Sequence, residues 1–311
     1  MDTCYHSRMR LLRSLLFVPG NRERMLAKAG TSGEDAVILD LEDSVPLEEK
    51  EAARPRVRRA IDEVRRATGV AVFVRVNPLG AKTAYSADLA AADLREVVCA
   101  GLAGIILPKV ESPTEVEAAD AIMSERERAL GLPERGIELS PMLETARGIL
   151  FAYDIALAAP GRVRCLSTGF GDLTVDLGIA WTRGEEEVFH ARSHLVLASR
   201  AAGLEQPLDG VWADIADEEG LLRSARLGRQ LGYQGKTLIH PRQVAPVNEV
   251  FSPTPEEIAR AQQIVAAFGE AEAQGRASIK FAGRMLDYPE LARARQTLTR
   301  AEAIAARRLG D

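Results

Sequence analysis

Eight short apolar runs punctuate the chain, with longer stretches between them whose apolar residues repeat at helical spacing. The runs are SLLFVP from Ser14, AVILD from Ala36, AVFVR from Ala71 and GIILPK from Gly104, then IELSP from Ile137, VRCLST from Val163, PLDGV from Pro207 and KTLIH from Lys236. They are apolar at successive positions, as strands buried on both faces of a parallel sheet must be. Residues 52–68 carry Val57, Ala60, Ile61 and Val64 on one helical face and arginines on the other. Residues 114–130 follow the same pattern behind a start signal at Ser112 and Pro113. Eight strands alternating with helices predict an α/β fold, a (β/α)8 TIM barrel rather than an open sheet.

The pattern changes near Gln243. A Pro-started helix (PTPEEIARAQQIVAAFGEAEAQG), a short extended piece (SIKFAGRMLDYP) and a final helix (PELARARQTLTRAEAIAARRL) complete the chain. The expected division is therefore a barrel over 11–242 and a C-terminal extension over 243–311, placed to act as a lid or an oligomer contact. The composition suits this picture: 311 residues suffice for one large barrel plus an appendage, and 46% hydrophobic against 27% charged residues is ordinary for a globular protein. A net charge of -5 gives no general attraction to nucleic acid. No apolar stretch approaches membrane length, and LLFVP is too short for a signal peptide and ends in a turn at Pro19, Gly20 and Asn21. Cys4, Cys99 and Cys165 are odd in number and share no CxxC spacing, which argues against a disulfide framework or zinc site and for reduced thiols in a cytoplasm.

In such a barrel the reaction site lies at the C-terminal ends of the strands. The residues there are Asn21, Arg22 and Arg24 after the first run, Asp40, Glu42 and Asp43 after the second, Arg75 and Asn77 after the third, and Lys109 and Glu111 after the fourth. Glu144, Asp172 and His240 follow the fifth, sixth and eighth. Glu144 and Asp172, from adjacent strands, suit a hard divalent cation such as Mg²⁺, which takes one or two carboxylates and keeps other positions for water or substrate. Either acid alone is equally explained by a helix N-terminus, where negative charge is favourable. Arg75 could grip a substrate carboxylate with its planar fork, or pair internally with a rim acid. Arg22, Arg24 and Lys28 could receive phosphates near the first helix N-terminus, or form a solvated helix face. His240, before Pro241, reads as a structural hydrogen-bonding residue. His190 and His194 lack the intervening Glu of a zinc-protease motif. Dinucleotide, P-loop and GxSxG motifs are absent.

Eight segments in order, SLLFVPGNRERMLAKA, AVILDLEDSV, VRVNPL, ILPKVES, ETARG, GDLTVDLG, GKTLIHPRQV and GRMLDYPELARA, together resemble the citrate lyase β-subunit-like family of CoA-ester lyases, relatives of malyl-CoA and citramalyl-CoA lyases. The resemblance covers nearly the whole chain. It implies a Mg²⁺-dependent barrel that reversibly cleaves a 3-hydroxyacyl-CoA of malyl, citramalyl or citryl type into acetyl-CoA or a close homologue and a 2-oxo acid. By the same resemblance Glu144 and Asp172 are metal ligands, Arg75 is the carboxylate clamp, Glu42 and Asp43 are acids near the metal-bound water, and Arg22, Arg24 and Lys28 fall in the region of the CoA phosphates. Asp287 in RMLDYP matches the catalytic acid that the family donates from the tail of a neighbouring subunit, which implies a homo-oligomer, a trimer or hexamer. One departure is local: GFGDL lacks the two residues of the FGxxDL spacing common in the family. The alternatives are a subunit of a larger citrate lyase complex acting on an acyl-carrier-protein thioester, an aldolase for free hydroxy-oxo acids, and a malyl-CoA-type thioesterase.

Overall fold

The computed structural model describes residues 10–80, 87–274 and 278–310. Cys4 lies outside them. Eight parallel strands close into a barrel in sequence order: β1 Ser14–Pro19, β2 Ala36–Asp40, β3 Ala71–Arg75, β4 Gly104–Leu107, β5 Glu138–Leu143, β6 Ser167–Thr168, β7 Leu208–Asp209 and β8 Gly235–Leu238. β8 returns to β1 with Ser14 opposite Lys236. The TIM-barrel expectation is met: six of the eight apolar runs contain their strand, and the other two overlap it, β8 starting one residue before KTLIH. β5 reaches two residues further than IELSP because Met142 and Leu143 continue its apolar pattern. β6 is only two residues of regular ladder, yet its approach is extended: Leu139 donates its N–H to the Arg162 carbonyl at 3.0 Å, and Glu205 to that of Arg164 at 2.9 Å.

Strand periodicity decides which residues reach the mouth of the barrel. Alternate side chains fill the interior, where Leu15, Ala36, Ile38, Phe73, Ile106, Met142, Cys165 and Leu208 form one buried cluster. Two residues beyond Ile38, Phe73 and Met142, the next side chains on the same face are Asp40, Arg75 and Glu144. The apolar plug thus ends in a charged layer at the C-terminal rim. Outside, the helix Lys50–Thr68 buries Ala53, Val57, Ala60, Ile61 and Val64, and stops at Gly69, whose φ of 69° suits a residue without Cβ.

At the opposite end a charge knot ties the barrel to its helices. Arg162 is fully buried; its guanidinium donates to Asp120 Oδ1 (2.7 Å), both Glu127 carboxylate oxygens (2.6 and 2.7 Å), Ser124 Oγ (2.9 Å) and the Ile137 carbonyl (2.7 Å). Glu127, also fully buried, accepts the N–H groups of Arg135 and Ile137. Cys99 and Cys165 are buried free thiols. No helix among the described residues is long and apolar enough to cross a membrane.

The described residues divide into two compact units, one within 12–248 and a second comprising 249–274 and 278–310 with residues 10 and 11. The division falls six residues beyond the boundary expected at 242/243. In the second unit a capping box between Thr254 and Glu257 starts the helix Pro255–Ala273. The antiparallel pair β9 Ile279–Phe281 and β10 Arg284–Leu286 turns at Ala282 and Gly283, both at positive φ, as a two-residue hairpin loop requires. A last helix, Tyr288–Gly310, completes a separate core of Ile264, Phe268, Ile279, Leu286 and Leu291.

Arg162→Met leaves Glu127 buried without its cation and is expected to destabilise the protein by ~3–5 kcal/mol, read from urea unfolding. Its distance from the rim along the strands predicts unchanged activity per folded molecule.

Candidate active site

Asp40 and Arg75 stand directly opposite each other in the β2–β3 register. That placement produces a forked contact: Arg75 Nε donates to Asp40 Oδ1 and Nη2 to Oδ2, each at 2.7 Å. The N–H groups of Glu42 and Ser44 also donate to Asp40, at 3.0 and 3.1 Å. Burial alone would raise the Asp40 pKa, but the guanidinium outweighs it and brings the pKa down to about 2. Arg75 Nη1 lies 2.9 Å from Glu42 Oε2 and 3.9 Å from Asp43 Oδ2, and the guanidinium carbon sits 4.7 Å from the centre of the Phe17 ring. Of the two readings of Arg75, the internal ion pair is present, with Asp40 as its partner. The remaining Nη1 edge is the one beside the other acids.

The loop carrying Glu42 and Asp43 is fixed from below. Lys50 Nζ donates to the carbonyls of Leu41 (2.9 Å) and Glu42 (2.7 Å), and Asn77 Nδ2 to that of Leu41 (3.1 Å). Asn77 is itself held by Asp93. Glu42 is fully buried, and burial raises its pKa to about 7, with Arg75 and Lys109 opposing and Asp43 adding to the shift. Asp43 is half exposed; burial would raise its pKa, but Lys109 and Arg75 keep it below the ordinary value.

Glu144 follows β5 directly and is buried. Leu143 pairs with Thr168, so the next residues, Glu144 and Gly169, lie side by side. A Cβ at Gly169 would collide with the Glu144 carboxylate, so only glycine leaves that carboxylate its place. Thr145, not Glu144, caps the following helix, Ala146–Leu150, through a 3.0 Å bond from Gly148 N–H. The helix-terminus explanation therefore fails for Glu144. It does describe the position of Asp172, in the first turn of the helix Phe170–Asp176.

One ammonium joins these acids. Lys109 Nζ contacts Glu42 Oε1 and lies 3.1 Å from Asp43 Oδ2 and 3.7 Å from Asp172 Oδ1, while its backbone N–H donates to Glu144 Oε1 at 2.9 Å. Burial raises the Glu144 pKa well above the ordinary value; Lys109 opposes this, and Asp172 and Glu42 reinforce it. Lys109 is held above its ordinary range by Glu42 and Glu144 despite burial. Sequence reasoning placed Lys109 and Asp40 on the rim without giving either a part; the available signal was one lysine among so many acids. Among the described residues the acids Asp40, Glu42, Asp43, Glu144 and Asp172 meet Arg75 and Lys109 in direct ion pairs or close charge contact, with the Lys50 ammonium a third cation behind Asp40, Glu42 and Asp43. An all-oxygen donor set with surplus negative charge fits a hard divalent cation at Glu144 and Asp172. Among the described residues no cluster of three or more His, Cys, Asp or Glu is arranged to enclose a metal by itself, so such an ion would keep open positions.

The other expected residues take no part in these contacts. Arg22, Arg24 and Lys28 are exposed; the first two line a groove of about 530 Å³ with Asn21 and Arg56. The helix there is one turn, Glu23–Leu26, so any phosphate would be held by side-chain charge and not by a helix terminus. Asp287 belongs to the second unit, exposed between β10 and the last helix. His240 accepts the Arg242 N–H at Nδ1 (3.2 Å) in a capping box with Gln243, a structural part as its sequence context suggests. His190 and His194 stack at 6.1 Å on the helix Phe189–Ala201.

Because the folded Asp40 pKa is depressed to about 2, its carboxylate contributes stability that is complete above about pH 4 and lost as pH falls toward 2. Asp40→Asn is expected to abolish that contribution. The stability difference from wild type, followed by urea melts, should narrow by about 2 kcal/mol between pH 5 and pH 2.

A family model described as HpcH/HpaI aldolase/citrate lyase matches residues 13–241, and one described as a C-C bond lyase of the TIM-barrel fold matches residues 187–305. The chain is 36% identical to citrate lyase subunit beta of Leuconostoc mesenteroides subsp. cremoris over 94% of each chain. It is 37% identical to a (3S)-malyl-CoA thioesterase of Cereibacter sphaeroides (strain ATCC 17029 / ATH 2.4.9), over 94% of this chain and 96% of the relative. The crystal structure of CitE from Mycobacterium tuberculosis in complex with magnesium, acetoacetate and coenzyme A is similar with a TM-score of 0.73 and 31% identity, over 94% of this chain and all of that one. With barrel fold and sequence in agreement over almost its full length, the chain belongs to the HpcH/HpaI aldolase/citrate lyase family and is a carbon-carbon lyase.

Proposed function

We propose that the protein is a Mg²⁺-dependent lyase that cleaves a 3-hydroxyacyl-CoA bearing a second carboxylate into a short acyl-CoA and a 2-oxo acid, and runs the reverse condensation. The observation that carries this reading is the gathering of four carboxylates around one residue of the barrel mouth: the Lys109 ammonium meets Glu42, Asp43 and Asp172, and its backbone N–H meets Glu144. The magnesium, acetoacetate and coenzyme A bound by the related CitE support the choice of metal and substrate class.

Glu144 and Asp172 would hold the metal. When bound, it would supply a Lewis acid for the oxygens of the hydroxy acid and of the departing 2-oxo acid. The chain's own groups do the rest. Glu42, with a pKa of about 7, is matched to take the substrate hydroxyl proton near neutral pH. As the carbon-carbon bond breaks, its electron pair passes to the thioester side as an enolate, and Asp287 from a second copy of the chain returns a proton to that carbon. Arg75, held by Asp40, would share its Nη1 edge between Glu42 and the carboxylate of the 2-oxo acid. Arg22, Arg24 and Lys28 would neutralise CoA phosphates.

A second outcome is hydrolysis of the thioester, favoured by the malyl-CoA thioesterase among the relatives. The same acids could direct water to the thioester carbonyl. The two outcomes differ in products: cleavage releases a 2-oxo acid, hydrolysis a free thiol and an intact hydroxy diacid.

Incubation with Mg²⁺, acetyl-CoA or propionyl-CoA and a panel of 2-oxo acids is expected to give a mass-detected adduct, and silence across the panel would count against a stand-alone CoA lyase. Glu144→Gln and Asp172→Asn should each weaken Mg²⁺ binding by more than about a hundredfold, beyond the loss caused by removing an outer-shell partner, as read by calorimetry. Asp287→Ala should lower kcat by about a hundredfold or more with Mg²⁺ affinity intact; retained turnover would remove Asp287 from the mechanism.

A further inference from the structure

Lys109 adopts a conformation that its strand does not provide. Along β4, Ile106 points into the barrel core, and a continued strand would aim Lys109 outward, with Ile105 and Leu107. Instead its φ is 54°, in the left-handed region that a residue with a Cβ adopts only at a cost. What accompanies this conformation is a double engagement. The backbone N–H meets Glu144, and the side chain crosses the mouth to Glu42, Asp43 and Asp172. An ammonium has three donors and a flexible stem, and here three carboxylates surround it.

We propose that Lys109 is an intramolecular counter-ion, occupying the cation position between the rim carboxylates and giving it up when a divalent ion binds at Glu144 and Asp172. The inference rests on the metal reading given above. Lys109 then keeps the acids assembled before the ion arrives, and its positive charge competes with the ion for them. Its backbone N–H can remain on Glu144 throughout, so only the four-carbon stem has to swing, toward the exposed Asp43. The affinity of the site for metal is therefore set partly by a residue that is not a ligand.

The test compares wild type with Lys109→Met, which keeps most of the stem and removes the charge, and with Lys109→Arg, which keeps a charge. Lys109→Gly, suited to the left-handed backbone, serves as a second neutral variant if the Met variant folds poorly. Calorimetry of metal-free protein with Mg²⁺ should show about tenfold or greater tightening in the neutral variants, since a unit charge within 4 Å of a ligand is removed. Lys109→Arg should stay near wild type. In EDTA the neutral variants should melt below wild type and regain the loss on addition of Mg²⁺. Unchanged or weaker Mg²⁺ binding in the neutral variants, with a Glu144→Gln-sensitive site in wild type, would overturn the exchange and leave the metal reading standing. Absence of Glu144-dependent binding in every protein would overturn both.

Discussion

The forked contact between Arg75 and Asp40 is the constraint on which the rim depends. Both residues continue the inward-facing rows that fill the barrel core, and the β2–β3 register sets them opposite each other. Once formed, the pair anchors one end of an acid loop whose main chain is also gripped by Lys50 and Asn77. Glu42 is thereby fixed in a fully buried position, where isolation from water makes its proton available near neutrality.

A second set of acids comes from the other side of the barrel, and its geometry depends on an absent side chain. Gly169 gives Glu144 the room to stay beside the β6 strand end, and Lys109 brings a positive charge between the two groups. The mouth is thus balanced between attraction and repulsion over short distances in a medium of low polarity, where such energies are large. Small substitutions there should act mainly on charge distribution, with little effect on the packed core beneath.

Much of this was legible in the sequence, and the remainder was hidden for identifiable reasons. Apolar runs of the right length gave all eight strands, because burial on both faces leaves an unmistakable pattern. The rim acids could be listed because they follow those runs. The partner of Arg75 could not be chosen among them, since Asp40 is distinguished only by register across two strands. Lys109 was hidden for another reason: a left-handed turn usually announces itself with Gly or Asn, and here a lysine adopts it. His240 was read correctly as structural because the Pro that follows it marks a chain turn and helix start. The first helix, where Arg22, Arg24 and Lys28 could either receive phosphates or form a solvated face, is a single turn.

The Arg162 knot with Asp120 and Glu127 lies at the end of the barrel away from the acids. Charge changes at the mouth therefore leave that buried knot untouched. Among relatives of more than a third identity, one carries the name of a lyase subunit and another that of a thioesterase, the divergence such a division of labour would permit.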